Sequence, residues 1–221
     1  MQLPFTTDEF FGLFREYNES LWPAQVVLVG LALAAIVLVL MPRRWSGVGV
    51  STILAILWAW LALVYHLAFF TRINPLAYVF SGFSLAGALG FLWQGVVQRR
   101  LQFAWVGGGR AFIGTVFVVF ALVLYPIWSW YEGHPYPYMP TFGLPCPTTI
   151  FTIGLLAFLV PPYPRIPLIV PILWCLVGAQ AAFLLGVRQD LGLLVAAAVG
   201  VVLLARSNGP TVSASAVSAK T

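Results

Sequence analysis

Residues Gly49 to Thr71 read GVSTILAILWAWLALVYHLAFFT and contain no Asp, Glu, Lys or Arg. A helix that crosses the hydrocarbon core of a bilayer needs about 20 consecutive apolar residues, and this stretch meets that length. The rest of the chain is similar, because 61% of its 221 residues are hydrophobic and only 8% are charged. An average soluble domain carries about 25% charged residues. The sequence therefore predicts an all-α integral membrane protein.

Apolar runs of comparable length recur on both sides of this stretch. They predict a bundle of about seven transmembrane helices within residues 23–206, at 23–42, 49–71, 75–97, 111–131, 146–163, 167–187 and 190–206. Prolines crowd the junction of the fifth and sixth runs, from Pro161 to Pro171, and predict a tight, kinked hairpin there. A re-entrant segment in place of one of these two spans is the alternative, and it would place the C-terminus on the other side.

Both termini differ from the bundle. In residues 1–22, apolar side chains recur at helical spacing from Phe10 to Leu21, and Asp8 and Glu9 stand where a helix dipole favours anions. This pattern predicts an amphipathic helix that lies at the membrane surface. The tail, residues 207–221, is rich in Ser and Ala and is predicted to be disordered.

The distribution of basic residues predicts the orientation. With the N-terminus outside, 8 of the 11 Lys and Arg residues fall on the inner side and 3 on the outer side. Inner loops of membrane proteins are enriched in Lys and Arg, so we expect an N-out, C-in topology. All six acidic residues then fall outside.

Composition also excludes several functions. The net charge of +5 comes from short loops between apolar runs, so nucleic acid is not an expected partner. The only lysine is Lys220 in the tail, which excludes a covalent retinal protein.

Small residues spaced four apart, such as Gly82, Ala86 and Gly90, favour close helix packing. That packing could be within the bundle, with other membrane subunits or in a homo-oligomer.

One cluster of polar side chains is predicted at the outer mouth of the bundle. Cys146 stands between two prolines at the start of the fifth run, and His66, Glu132 and His134 fall on the same side. Thiolate and imidazole ligands suit a soft metal ion such as Cu or Zn. No pair of these residues has a metal-ligand spacing such as CxxC, so a packed cysteine and hydrogen-bonded histidines are the alternative.

Two further groups of residues have candidate roles. Thr149 and Thr152 either line a polar path below Cys146 or bond to backbone carbonyl groups that the prolines leave free. Arg99, Arg100 and Arg110 form a basic patch that is predicted to hold anionic lipid head groups, unless it serves topology alone.

Two segments carry a resemblance to a known family. They are Pro4-Phe5-Thr6…Tyr17-Asn18-Glu19…Trp22-Pro23-Ala24-Gln25 and the run from Pro145 to Thr152. In these segments the chain resembles DUF6064, a bacterial family of multi-span membrane proteins. The resemblance covers nearly the whole chain and implies a multi-pass location in the bacterial inner membrane. It implies no activity, substrate or site residue.

Two functional hypotheses follow from the sequence. In the first, the protein binds or transports a small solute or soft metal ion from the extracytoplasmic side. In the second, it is a non-catalytic accessory subunit of a larger membrane complex that holds lipid, pigment or partner helices. An enzyme is not expected, because no nucleophile with a nearby base and no buried acid–base pair is evident.

Overall fold

The computed structural model describes residues 4–207. The predicted tail thus lies, apart from Ser207, outside the described residues. Within residues 4–207 the chain forms eight helices and no β-strand. They are α1 (Thr7–Ser20), α2 (Ala24–Leu40), α3 (Ser46–Arg72), α4 (Ala77–Val97), α5 (Gly108–Tyr131), α6 (Pro145–Leu156), α7 (Ile166–Leu184) and α8 (Arg188–Ala205).

The all-helical fold is confirmed, but the count of seven spans is not. Five helices of the described chain (α3, α4, α5, α7 and α8) are long and apolar enough to cross a membrane. The number rises to six if α1 and α2, which meet at an angle of 86°, form one broken span. By itself α2 has 17 residues and α6 only 12.

The fifth predicted helix, at 146–163, is wrong in extent because the helix ends at Leu156. After a turn at Ala157 and Phe158, the backbone pairs with the loop after α4. The Ala104 N–H donates to the Phe158 carbonyl (3.1 Å), and the Val160 N–H donates to the Gln102 carbonyl (2.8 Å). Pro161 and Pro162, which follow, have no N–H to continue a helix. At 1.5 Å per residue, α6 is about 18 Å long, short of a bilayer core of about 30 Å.

α6 is the central helix of the bundle. Every residue in it except Cys146 is buried, and α5, α7 and α8 pack around it. Its crossing with α5 brings two glycines together, since a Cβ on Gly114 would lie 2.8 Å from the Gly154 carbonyl oxygen. Small residues allow helix backbones to approach this closely. The glycines of α8 also pack inside the bundle, whereas Gly82 on α4 has open space around it.

The bundle has two chemically different ends. The first, called the α1 end, is where α1 lies against the turns between helices. Its opposite, called the arginine end, carries the basic residues Arg43, Arg44, Arg99, Arg100, Arg110, Arg165 and Arg206. Contacts between the loops define the arginine end, because the Trp105 N–H donates to the Val39 carbonyl and Arg110 donates to the Leu159 carbonyl.

α1 is a helix within residues 1–22, where the sequence predicts one at the membrane surface, and it begins with a capping box. The Thr6 N–H donates to the Glu9 carboxylate (2.7 Å), and the Glu9 N–H donates to the Thr6 hydroxyl (3.2 Å). The first of these bonds holds the pKa of Glu9 below its usual value. The buried face of α1 carries Phe10, Phe14 and Tyr17, which pack on the ends of α3 and α7.

Buried hydrogen bonds attach α1 to the loop that precedes α6. The Tyr17 hydroxyl donates to the Gly143 carbonyl (3.2 Å) and accepts from the Trp60 indole N–H (2.7 Å). Asn18 donates its side-chain amide to the carbonyls of Pro137 (2.6 Å) and Met139 (2.8 Å). α1 is therefore an integral part of the bundle.

The α5–α6 crossing gives a direct test of the packing. Gly114→Ala should lower the free energy of unfolding by about 1–3 kcal/mol, because the Gly154 backbone cannot move away from the new methyl group. The matched control is Gly82→Ala, which meets no atom within 4 Å. It should leave stability unchanged or raise it by up to about 1 kcal/mol through helix propensity. Unfolding of both variants in detergent measures the difference; equal effects would contradict the close crossing.

Candidate functional site

A cavity of about 200 Å³ lies at the α1 end. Residues from all the described helices except α2 line it. Most of the wall is aromatic or aliphatic, with Phe10 and Phe14 from α1 forming one side. Ligand sites of proteins are typically concave, mainly apolar and supplied with a few polar groups. This cavity has that composition.

His66 is the most unusual residue of the wall. It lies in a π-helical part of α3, Leu61–Phe69, and is fully buried. The rings of Tyr65, Phe80 and Trp174 surround it, the last with a centroid distance of 5.0 Å. Neither imidazole nitrogen has a hydrogen-bond partner in the described structure, and the same holds for the Trp174 indole nitrogen. Buried polar groups are normally paired, so these three atoms can bond to a ligand.

A second group of polar side chains also lines the cavity. Asp190 is buried, precedes the α-helical part of α8 at Leu191, and accepts a hydrogen bond from the Tyr125 hydroxyl. The Cys146 thiol lies beside both groups. The polar groups of the cavity wall are therefore a carboxyl, a phenol, a thiol, an imidazole and an indole.

The four predicted metal ligands do not come together. His66 and Cys146 line the cavity, but Glu132 and His134 lie outside it. Glu132 accepts from the Trp128 indole (3.2 Å) and from Arg188 (3.4 Å), and the His134 ring stacks on Phe11 at 3.7 Å. Between residues 4 and 207, no group of three or more His, Cys, Asp or Glu side chains could hold a metal ion.

The two predicted path residues lie in the core of α6. Thr152 accepts a hydrogen bond from the Trp58 indole (3.1 Å) and donates to the Thr148 carbonyl (2.8 Å). Thr149 is buried, and its hydroxyl has no partner among the described residues. Neither residue lines the cavity.

The basic patch is also divided. Arg99 and Arg100 follow α4 and are exposed, whereas Arg110 is half-buried and donates to the Leu159 carbonyl (2.7 Å). Arg110 lies with Arg206 in a groove at the arginine end, which Arg99 and Arg100 do not line.

Sequence reasoning missed the Asp190–Tyr125 pair. All six acids were expected in outer loops, and five of them are at the surface of the α1 end while Asp190 is buried. One signal was available, because Asp190 directly precedes the apolar run of α8 and thus enters the bundle with it. The partner could not be found in this way, since Tyr125 is 65 residues distant in sequence.

The fold and the cavity define a class of protein: an all-helical bundle, rich in apolar helices of membrane-spanning length, with an aromatic cavity at one end. The chain belongs to the DUF6064 family, a family of unknown function whose model matches residues 7–212. The resemblance predicted from its sequence is thereby confirmed. No curated protein and no solved structure matches the chain.

The Tyr125–Asp190 hydrogen bond gives a testable expectation. Tyr125→Phe leaves a buried carboxyl without its partner and should lower the free energy of unfolding by about 2 kcal/mol. Tyr131→Phe is the matched control, because Tyr131 is 77% exposed on the same helix. A double-mutant cycle with Asp190→Ala, measured by unfolding in detergent, isolates the coupling. A coupling near zero would show that the two side chains do not interact.

Proposed function

We propose that this chain is a multi-pass protein of the bacterial inner membrane that binds a small solute in the aromatic cavity from the extracytoplasmic side. The observation that carries the proposal is the cavity itself, which is lined by His66 and Trp174, whose side-chain nitrogen atoms have no partner in the described chain, and by the Asp190–Tyr125 pair. The ligand class that fits is a small, largely apolar or aromatic molecule with one or two hydrogen-bonding groups.

The surface of the bundle supports the membrane location. Large apolar side chains are exposed along its helices, among them Val27 (62%), Phe112 (69%) and Val195 (58%). A soluble monomer rarely exposes such extensive apolar area. Seven crossings require that α2 and the segment 145–163 each cross the membrane once, in addition to the five long helices. The irregular part of the segment 145–163 is covered by protein, as irregular backbone inside a membrane must be.

The charges of the two ends support the N-out, C-in orientation. Each arginine at the α1 end has an acidic partner, in the pairs Arg15–Glu19, Arg72–Glu16 and Arg188–Glu132. The seven arginines at the arginine end have no such partner within the described chain. Cytoplasmic loops of membrane proteins are enriched in Lys and Arg, and this end carries seven described arginines against three at the α1 end.

Binding a solute is preferred to binding a metal ion or transporting a solute. Only His66 and Cys146 of the predicted metal ligands reach the cavity. Of the central helix, only Pro145, Cys146 and Pro147 line it, and the rest of α6 is buried in the core below. The cavity therefore suits binding at one face of the membrane.

The accessory-subunit hypothesis has one observation in its favour. α4 exposes Gly82 and Ala86, and a Cβ on Gly82 would meet nothing within 4 Å, so another helix could approach closely there. Native mass spectrometry of the gently solubilised protein distinguishes the hypotheses. A co-purifying membrane subunit would favour the accessory role, and a monomer or homo-oligomer would favour the solute-binding role.

The proposed orientation has its own test. A green fluorescent protein fused after Thr221 should be fluorescent in a bacterial host, and an alkaline phosphatase fused there should be inactive, because the C-terminus would be cytoplasmic. An active phosphatase fusion would show that the orientation is the reverse of the one proposed, or that the number of crossings differs by one.

Indole is a suitable probe for the cavity, being aromatic and carrying one N–H donor. A protein cavity of about 150 Å³ is known to accept benzene, and this one is larger. His66→Phe should weaken indole binding at least fivefold, which corresponds to one net hydrogen bond of about 1 kcal/mol. It should also raise the stability of the ligand-free protein by about 1–3 kcal/mol, because two unpaired buried nitrogen atoms are removed.

Titration calorimetry measures the indole affinity of each variant, and thermal unfolding measures its stability. Matched control variants distinguish an effect on the binding site from an effect on the fold. His134→Phe changes the other histidine, outside the cavity, and should leave indole affinity unchanged. Ala181→Phe narrows the cavity and should abolish binding, whereas Ala86→Phe on the open face of α4 should not. Destabilisation by His66→Phe together with unchanged indole affinity would refute the proposed role of His66.

A further inference from the structure

A second concave surface lies at the arginine end, between α5 and α8 and beside the end of α6. This groove has a volume of about 490 Å³ and is separate from the aromatic cavity. Its walls are apolar except for two residues, Arg110 from the first turn of α5 and Arg206 from the end of α8. Two positive charges thus stand at one end of an apolar trough.

Neither guanidinium group is neutralised by a carboxylate of the described chain. Arg110 lies over the Tyr163 ring, with its Cζ 5.6 Å from the ring centroid, and it donates one N–H to the Leu159 carbonyl. Its Nε is buried and has no partner in the described chain. Arg206 also lies near Tyr163, and neither arginine forms an ion pair with a described residue. All six acidic residues are at the opposite end of the bundle.

The trough has the dimensions and character of a site for a hydrocarbon chain. Val195, Val199 and Val202 follow one face of α8 and reach the groove together with Ile113 of α5. Val195 and Val202 are 58% and 48% exposed. From Val195 to Arg206 the helix extends about 16 Å at 1.5 Å per residue, so an occupant would have an apolar part of comparable length.

We propose that this groove binds one anionic phospholipid, with its phosphate between Arg110 and Arg206 and one acyl chain along the α8 valines. The charge of the groove selects an anion, since guanidinium groups bind phosphate oxygens through paired N–H donors. The apolar trough selects an amphiphile over a free ion. Basic pockets between membrane helices on the cytoplasmic side commonly hold such head groups. This site is independent of the solute cavity.

Native mass spectrometry in mixtures of phosphatidylglycerol and phosphatidylcholine tests the proposal. The wild-type protein should retain one phosphatidylglycerol. Arg110→Gln with Arg206→Gln should reduce retention about 25-fold, from about fivefold per charge, the equivalent of about 1 kcal/mol for each basic residue near an anionic surface. The matched control is Arg99→Gln with Arg100→Gln, which removes the same charge at the same end outside the groove and should retain the lipid.

Two further measurements keep the test decisive. Val202→Trp fills the trough, leaves both arginines in place and should also lose the lipid, so a folding defect from the loss of the Arg110–Leu159 bond cannot explain both results. Thermal unfolding verifies that each variant is folded. Equal losses in the two double variants, retention by Val202→Trp, or displacement of the lipid by millimolar inorganic phosphate would each overturn the proposal.

Discussion

The structure depends on how the backbone of the central segment, residues 145–163, is satisfied in an apolar interior. A buried N–H or C=O group without a partner costs as much as a lost hydrogen bond. In α6 these groups pair within the helix. A turn at Ala157 and Phe158 follows, and the Phe158 carbonyl and the Val160 N–H then pair with residues 102–104. This arrangement allows a short helix with an irregular continuation to lie at the centre of the bundle, where neither water nor lipid could serve as partner.

The central position of α6 determines the rest of the packing. Because α5 crosses it through two glycines and Trp58 of α3 donates to Thr152, the surrounding helices are held close to a narrow axis. At the α1 end, α6 begins with Pro145 and Cys146, and the helices around it leave the aromatic cavity above this first turn. α1 then covers the cavity, held by buried hydrogen bonds to the loop before α6.

The two ends of the bundle differ in the way they treat charge. At the α1 end every arginine is paired with a carboxylate, and the one buried carboxylate is bonded to Tyr125. At the arginine end the described basic residues have no acidic partners, and two of them border an apolar groove. One end therefore suits a small solute with few polar groups, and the other an anionic amphiphile. The excess of arginine at one end is also the distribution expected of a membrane protein that has a single orientation.

Local signals in the sequence were sufficient for the helical fold, the N-terminal helix α1 and the family, because each depends on residues close together in the chain. Asp8 and Glu9, for example, stand side by side in the first turn of α1. They were also sufficient to bring His66 and Cys146 to one end of the bundle. Only the tertiary structure decided that Glu132 and His134 lie outside the cavity and that Asp190 is buried against Tyr125. It also decided that Arg110 and Arg206 line the same groove. These relations join residues from different helices, and the rotation of each helix about its axis is fixed by packing, which periodicity in so uniformly apolar a chain does not encode.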